Sequence, residues 1–137
     1  MKTLHTLVHR LHNPDAGILF IRIALAAVFI YAGWFKVHNM AMVVSGFGAA
    51  GIPASLAYFV AYAELVCGLL MLIGLFARYA GILLAIIMLV AIVKVHGANG
   101  FSLVNSGYEY VLVLLLASLS IVTTGSGAYS VARMLKK

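Results

Sequence analysis

Long apolar runs separated by short polar segments make up most of the chain from residue 17 to residue 124. A helix that crosses the hydrocarbon core of a bilayer needs about 20 mostly apolar residues. Four runs come close to that length, at about residues 17–35, 54–76, 79–95 and 108–124. The pattern predicts an all-α integral membrane four-helix bundle, with residues 1–137 forming a single domain.

The segments outside these runs predict two further helices. Residues 1–12 place Leu4, Leu7, Val8 and Leu11 on one helical face, which is typical of a short amphipathic helix lying on a membrane surface. The link at residues 36–53 contains an apolar piece followed by several glycines. It predicts an interfacial or re-entrant helix between spans one and two.

Composition narrows the class of protein. Of 137 residues, 65% are hydrophobic and 9% are charged, whereas about a quarter of the residues in a soluble domain are charged. The formal charge of +6 comes from bases at helix ends and tails rather than from a soluble basic face. We therefore expect contact with the lipid bilayer and no binding of nucleic acid.

The distribution of basic residues predicts the orientation. Six of them lie in the two tails and the second loop, and two lie in the first and third loops. The first group is Lys2, Arg10, Arg78, Arg133, Lys136 and Lys137, and the second is Lys36 and Lys94. Under the positive-inside rule, both termini are expected in the cytoplasm.

Glu64 stands near the middle of span two, where an ionised carboxylate costs about 2.5–3.5 kcal/mol on insertion scales. It shares a helical stripe with small residues, including Gly68, so it is expected to face neighbouring helices rather than lipid. Gly33 continues a similar stripe on span one. We expect both glycines at helix contacts and Arg78 at the interface. Arg22 is expected near the inner boundary, where it can extend toward the membrane surface or approach Asp15.

Polar residues near the outer boundary predict a pocket above Glu64. Lys36, Lys94, His96 and Glu109 are expected to form its rim, with Glu64 roughly 12–15 Å deeper. The helical repeat of span four turns the stripe of Glu109, Val113 and Leu116 inward.

No cation is expected at the depth of Glu64, so desolvation favours a neutral carboxylic acid that donates a hydrogen bond or relays protons. Two structural alternatives remain open. Glu64 could tie helices together through a hydrogen bond, and Glu109 could form an ion pair with Lys94.

Metal and haem binding have weaker support. His5, His9 and His12 could converge on a metal if they lay on one helical face, but a solvated polar face is the favoured interpretation, and we expect no metal. A haem held by His38 and His96 would require them to face each other at one depth. Cys67 is the single cysteine, which excludes a disulfide relay within this chain.

Several segments, in this order and spacing, resemble the DoxX family of small four-helix membrane proteins. They are Arg22, residues 32–36, 51–53 and 64–78, His96, residues 107–109 and residues 125–130. The family commonly has an acidic residue two places after the serine at position 130, where this chain has Ala132.

The resemblance implies a bacterial inner-membrane protein with four spans. Some members are associated with a thiosulfate:quinone oxidoreductase, and others with a membrane complex that handles oxidative and thiol stress. A distant eukaryotic branch is similar to cargo receptors of the early secretory pathway.

Two functions follow as expectations. The first is a redox-linked accessory subunit that binds quinone or a similar lipophilic ligand in an outward-facing pocket above Glu64, with the redox cofactor on a soluble or membrane partner protein. The second is a non-enzymatic scaffold or permease-like module that recruits partner proteins. A self-contained enzyme is least favoured because no nucleophile–base pair is evident. A homo-oligomer is compatible with either function.

Overall fold

Helices make up nearly the whole of this computed structural model, which describes residues 1–137 apart from the side chain of Lys2. The α-helices are α1 (Lys2–Arg10), α2 (Pro14–His38), α3 (Met40–Ala49), α4 (Ala54–Ile73), α5 (Ala77–Ala91), α6 (Glu109–Thr124) and α7 (Val131–Met134). A π-helical turn (Ile92–His96) and two 3₁₀ turns (Gly97–Asn99 and Leu103–Asn105) connect α5 to α6. The described residues contain no strand, and the predicted all-α membrane bundle is confirmed.

Three segments are long and apolar enough to cross a membrane. They are α2, α4 and the continuous segment Ala77–Asn99, which consists of α5 and the two turns that follow it. Helix α6 has 16 residues, or about 24 Å of helix at 1.5 Å per residue. The predicted fourth span is therefore shorter than a hydrocarbon core of about 30 Å. The link between spans one and two forms α3, as the sequence predicts.

Helices α2 and α4 form the closest pair in the bundle, and two glycines make this approach possible. A Cβ atom at Gly33 would lie 2.5 Å from the backbone nitrogen of Leu65, and one at Gly68 would lie 2.8 Å from the backbone nitrogen of Ile30. No side chain fits at either position without displacing backbone. The predicted structural role of these two glycines therefore agrees with the packing.

Helix α5 pairs with α6, and a tight turn at residues 74–76 joins α4 to α5. Gly74 ends α4 with φ of 72°, a left-handed conformation that favours glycine. Leu25, Phe29, Met71, Leu84 and Ile121 fill the core between the two pairs.

The buried face of α6 differs from the predicted one. Leu114, Ser118 and Ile121 are buried, whereas Val113 is 63% exposed and Leu116 is 57% exposed. Apolar residues occur all round this helix, and lipid accepts them as readily as the protein interior does. The pattern of polarity therefore did not identify the face that packs against α5.

Arg22 is buried and holds the carboxy-terminal segment against the end of the bundle where α4 finishes. Its guanidinium donates to the carbonyls of Met71 and Leu72 at the end of α4, at 2.9 and 3.0 Å. It also donates to the carbonyls of Ser126 and Tyr129, at 2.8 and 2.7 Å. The expectation that Arg22 reaches toward Asp15 is wrong. Asp15 instead accepts a hydrogen bond from the backbone nitrogen of Ala128 at 2.8 Å.

Candidate ligand cavity

A cavity of about 1070 Å³ lies among α2, α3, α4, α5 and α6, and we call it the central cavity. Its walls are mostly apolar and include Phe29, Val43, Phe47, Val60, Ile87 and Leu114. Three charged or ionisable side chains predicted as site residues also line it: Lys36, Glu64 and His96. Tyr31 and Tyr110 add two phenolic groups. The cavity therefore combines a large apolar volume with a few polar groups, as ligand sites commonly do.

The Nζ atom of Lys36 forms an ion pair and donates a hydrogen bond to Oε2 of Glu64. Glu64 is 2% exposed, whereas the side chain of Lys36 is 23% exposed. The expectation that no cation lies at the depth of Glu64 is therefore wrong. The pair joins α2 to α4 and leaves Lys36 nearer the open side of the cavity.

The position at which α4 begins explains why Lys36 reaches Glu64. Gly33 packs against Leu65, so these two positions lie at the same depth. Helix α2 ends five residues beyond Gly33, whereas α4 begins eleven residues before Leu65. Helix α4 therefore extends about 9 Å farther in this direction than α2 does. The prediction that Glu64 lies deeper than Lys36 assumed that α2 ends at the same depth at which α4 begins. In the structure α4 begins farther out.

Only one oxygen of the Glu64 carboxylate is paired. Oε2 bonds Lys36, and among the described residues no group donates a hydrogen bond to Oε1. Oε1 is not fully buried, so it is accessible from the cavity. Glu64 thus presents an unpaired acceptor where it lines the cavity.

His96 ends the π-helical turn and lines the same cavity. Its Nδ1 atom lies 2.8 Å from the carbonyl oxygen of Ser106. A carbonyl only accepts hydrogen bonds, so Nδ1 carries the proton and donates. In the neutral ring Nε2 is then an acceptor, and it has no partner among the described residues.

The structure does not bring Lys94 or Glu109 to the central cavity. Lys94 lies within the π-helical turn, is exposed, and does not line the cavity. Oε1 of Glu109 accepts a hydrogen bond from the backbone nitrogen of Leu103 at 2.6 Å and so holds the second 3₁₀ turn. The described residues show no Lys94–Glu109 ion pair.

The remaining predicted residues lie away from the cavity. Arg78 is exposed on α5 and lies beside Gly125, where an added Cβ atom would be 3.0 Å from the Nε atom of Arg78. His5 and His9 approach to 3.2 Å between their Nε2 atoms, whereas His12 follows the end of α1. No group of three metal-ligating side chains occurs in the described part of the chain. His38 is exposed and bonds the carbonyl of Trp34 through Nδ1.

Sequence reasoning missed two features of this region. Helix α3 contributes Met42, Val43 and Phe47 to the cavity wall, which an apolar link between spans did not reveal. Ser118 is fully buried on α6, and its hydroxyl has no hydrogen-bond partner among the described residues. A lone serine in an apolar run gives no sequence signal of such a position.

These features define an all-α membrane protein with a mostly apolar cavity and, among the described residues, one partly buried ion pair. The DoxX family profile matches residues 17–97, which is more than half of the chain, and the protein belongs to that family. Two curated relatives cover most of it. A Bacillus subtilis (strain 168) protein named "Putative oxidoreductase CatD" is 33% identical over 112 residues, spanning 82% of this chain and 81% of the relative.

The second relative is "Inner membrane protein YqjF" of Escherichia coli (strain K12). It is 29% identical over 123 residues, spanning 90% of this chain and 95% of the relative. No solved structure gives a significant match.

Proposed function

We propose that this protein binds a quinone-type lipophilic ligand in the central cavity and serves as a redox-linked subunit of a membrane oxidoreductase. The observation that carries the proposal is the Lys36–Glu64 pair in an otherwise apolar wall. An isolated ion pair in such surroundings contributes little net stability, because desolvating both charges offsets their attraction. We infer that the pair binds the polar head group of a ligand in addition to joining α2 and α4.

The size of the cavity supports this class of ligand. Sites for small organic ligands commonly measure about 300–1,000 Å³, and the central cavity holds about 1070 Å³. An aromatic ring with an apolar tail suits walls of this kind, with its oxygens directed to Lys36, Glu64 or His96. The quinone would supply the two-electron chemistry, and this chain would hold it and exclude water.

The relatives support a redox context without defining the reaction. One carries an oxidoreductase name and the other an inner-membrane name. We infer an inner-membrane location with both termini in the cytoplasm, so that the cavity faces outward. Electrons would then pass to or from a partner polypeptide that bears the cofactor.

Titration of the purified protein with decyl-ubiquinone tests the proposal. Wild type should bind it saturably, and Lys36→Met should weaken binding about tenfold, or about 1.4 kcal/mol, because a quinone carbonyl loses its donor. Lys94→Met is the matched control, since Lys94 does not line the cavity, and it should bind as wild type does.

Breaking a buried pair can also destabilise the protein. The double variant Lys36→Met/Glu64→Leu removes both charges and so separates loss of binding from loss of folding. If it is folded and binds the quinone as tightly as wild type, the pair has no part in recognition.

A second function has one observation in its favour. Leu4, Leu7, Val8 and Leu11 on and beside α1 are all exposed, from 54% to 73%. This face suits a scaffold that recruits a partner protein through its amino terminus. Deleting residues 1–12 should then abolish co-purification of the partner, and unchanged co-purification would exclude this surface as the recruiter.

A further inference from the structure

Two residues that line the central cavity, Glu64 and His96, present hydrogen-bond acceptors that have no partner among the described residues. Oε1 of Glu64 has no donor among the described residues, and Nε2 of His96 is left as an acceptor because Nδ1 donates to Ser106. Lys36 offers the remaining N–H bonds of its ammonium group beside the same carboxylate. The polar groups therefore call for a ligand that can donate hydrogen bonds as well as accept them.

We propose that the central cavity prefers the reduced, hydroxyl-bearing form of its aromatic ligand, a hydroquinone, over the oxidised quinone. This inference rests on the proposed function and specifies the redox state that the site recognises.

The hydrogen-bonding groups of the ion pair match a hydroquinone better than a quinone. A hydroquinone hydroxyl can donate to Oε1 of Glu64 and accept from Nζ of Lys36, so both members of the pair gain a partner. Of the two members of the ion pair, only Lys36 can donate to a quinone carbonyl. Where it approaches the carboxylate, two acceptors face each other in a desolvated site, which is unfavourable.

The same contrast holds at His96. Its unpartnered Nε2 can accept a hydrogen bond from a hydroxyl, whereas a carbonyl oxygen placed there would meet another lone pair. Sites built to hydrogen-bond a hydroxyl discriminate strongly against an analogue that lacks it, because the site's polar groups are then left unpaired.

The test compares three ligands of one carbon skeleton under anaerobic conditions. These are decyl-ubiquinol, decyl-ubiquinone, and the hydroquinone with both hydroxyls methylated, which cannot donate. Wild type should bind the hydroquinone at least tenfold more tightly than either of the others. A tenfold preference also raises the midpoint potential of the bound ligand by about 30 mV, because the couple transfers two electrons.

Two variants assign the preference to the cavity. Glu64→Gln exchanges an acceptor for an amide that also donates, so the ratio of the two affinities should fall toward one. Glu109→Gln should leave the ratio unchanged. If Glu64→Gln proves unstable, the double variant Lys36→Met/Glu64→Leu should likewise remove the preference.

The possible outcomes separate this inference from the proposed function. Equal affinities, or tighter binding of the quinone or of the methylated compound, would overturn the preference while leaving a quinone-type site in place. Failure of all three compounds to bind wild type would overturn the proposed function and this inference with it.

Discussion

At the scale of single residues, the Lys36–Glu64 pair ties the electrostatics of the cavity to the packing of α2 on α4. Gly33 stands one helical turn before Lys36, and its missing side chain lets α2 approach the backbone of Leu65. Glu64 precedes Leu65, so this approach sets the depth at which the two charges meet. The glycine thereby positions the ion pair without touching it.

Replacing Gly33 with alanine should therefore destabilise the protein, because a Cβ there meets backbone at 2.5 Å. Overpacking of this kind typically costs about 1–3 kcal/mol. Gly17, in the same helix, is the matched control, since a Cβ atom added there would have nothing within 4 Å. Gly17→Ala should be neutral or slightly stabilising.

Thermal unfolding of both variants in one detergent measures the difference. Equal melting temperatures for Gly33→Ala and Gly17→Ala would show that the close approach of α2 and α4 is not required.

At the scale of elements, the π-helical turn decides which residue of the third span reaches the cavity. A regular α-helix through residue 96 would keep Lys94 on the stripe of Ala80 and Ala91, as the sequence predicts. In the structure the backbone N–H of Gly97 instead bonds the carbonyl of Ile92, five residues back. The wider turn changes the helical register, so His96 lines the cavity while Lys94 is exposed.

Deleting Val93, an exposed residue within this turn, should restore α-helical hydrogen bonding and move His96 off the cavity wall. We expect hydroquinone binding to weaken about tenfold or more, as for loss of one good polar contact. Val93→Ala keeps the chain length and should bind as wild type does. Equal binding by the deletion variant would mean that the π-helical turn does not place His96.

The helices could be predicted from the sequence, because lipid imposes long apolar runs on the segments that span it. Asn13 and Pro14 also mark the start of α2 in the sequence, and the side chain of Asn13 accepts a hydrogen bond from the backbone nitrogen of Ala16 at 3.0 Å. The inward placement of Glu64 also followed from its small-residue stripe. Relative helix depth, the π-helical turn and the packed face of α6 did not follow, since each depends on contacts between segments distant in sequence.

At the scale of the whole molecule, the two helix pairs and α3 line the cavity, and the carboxy-terminal segment covers the opposite end of the bundle. Four hydrogen bonds from Arg22 hold residues 126 and 129 against the end of α4. The cavity and this closed end therefore face opposite sides of the bundle. Our proposed orientation places the closed end, with both termini, at the cytoplasm.

Thiol labelling tests this orientation, because Cys67 is the single cysteine and is buried. In a Cys67→Ala background, Asn105→Cys should react with a membrane-impermeant maleimide in cells whose inner membrane is intact. Lys137→Cys should react only after that membrane is opened. The reverse pattern would place the cavity on the cytoplasmic side.

Photolabelling tests the central claim, that the central cavity binds a quinone-type ligand, most directly. An azidoquinone is activated in membranes that contain the protein, and the labelled peptides are mapped. We predict labels on segments that line the cavity, such as residues 56–64 and 86–96. Labelling should be suppressed by excess decyl-ubiquinol and reduced in folded Lys36→Met/Glu64→Leu. Labels spread over the lipid-facing surface and unaffected by competitor would contradict the account.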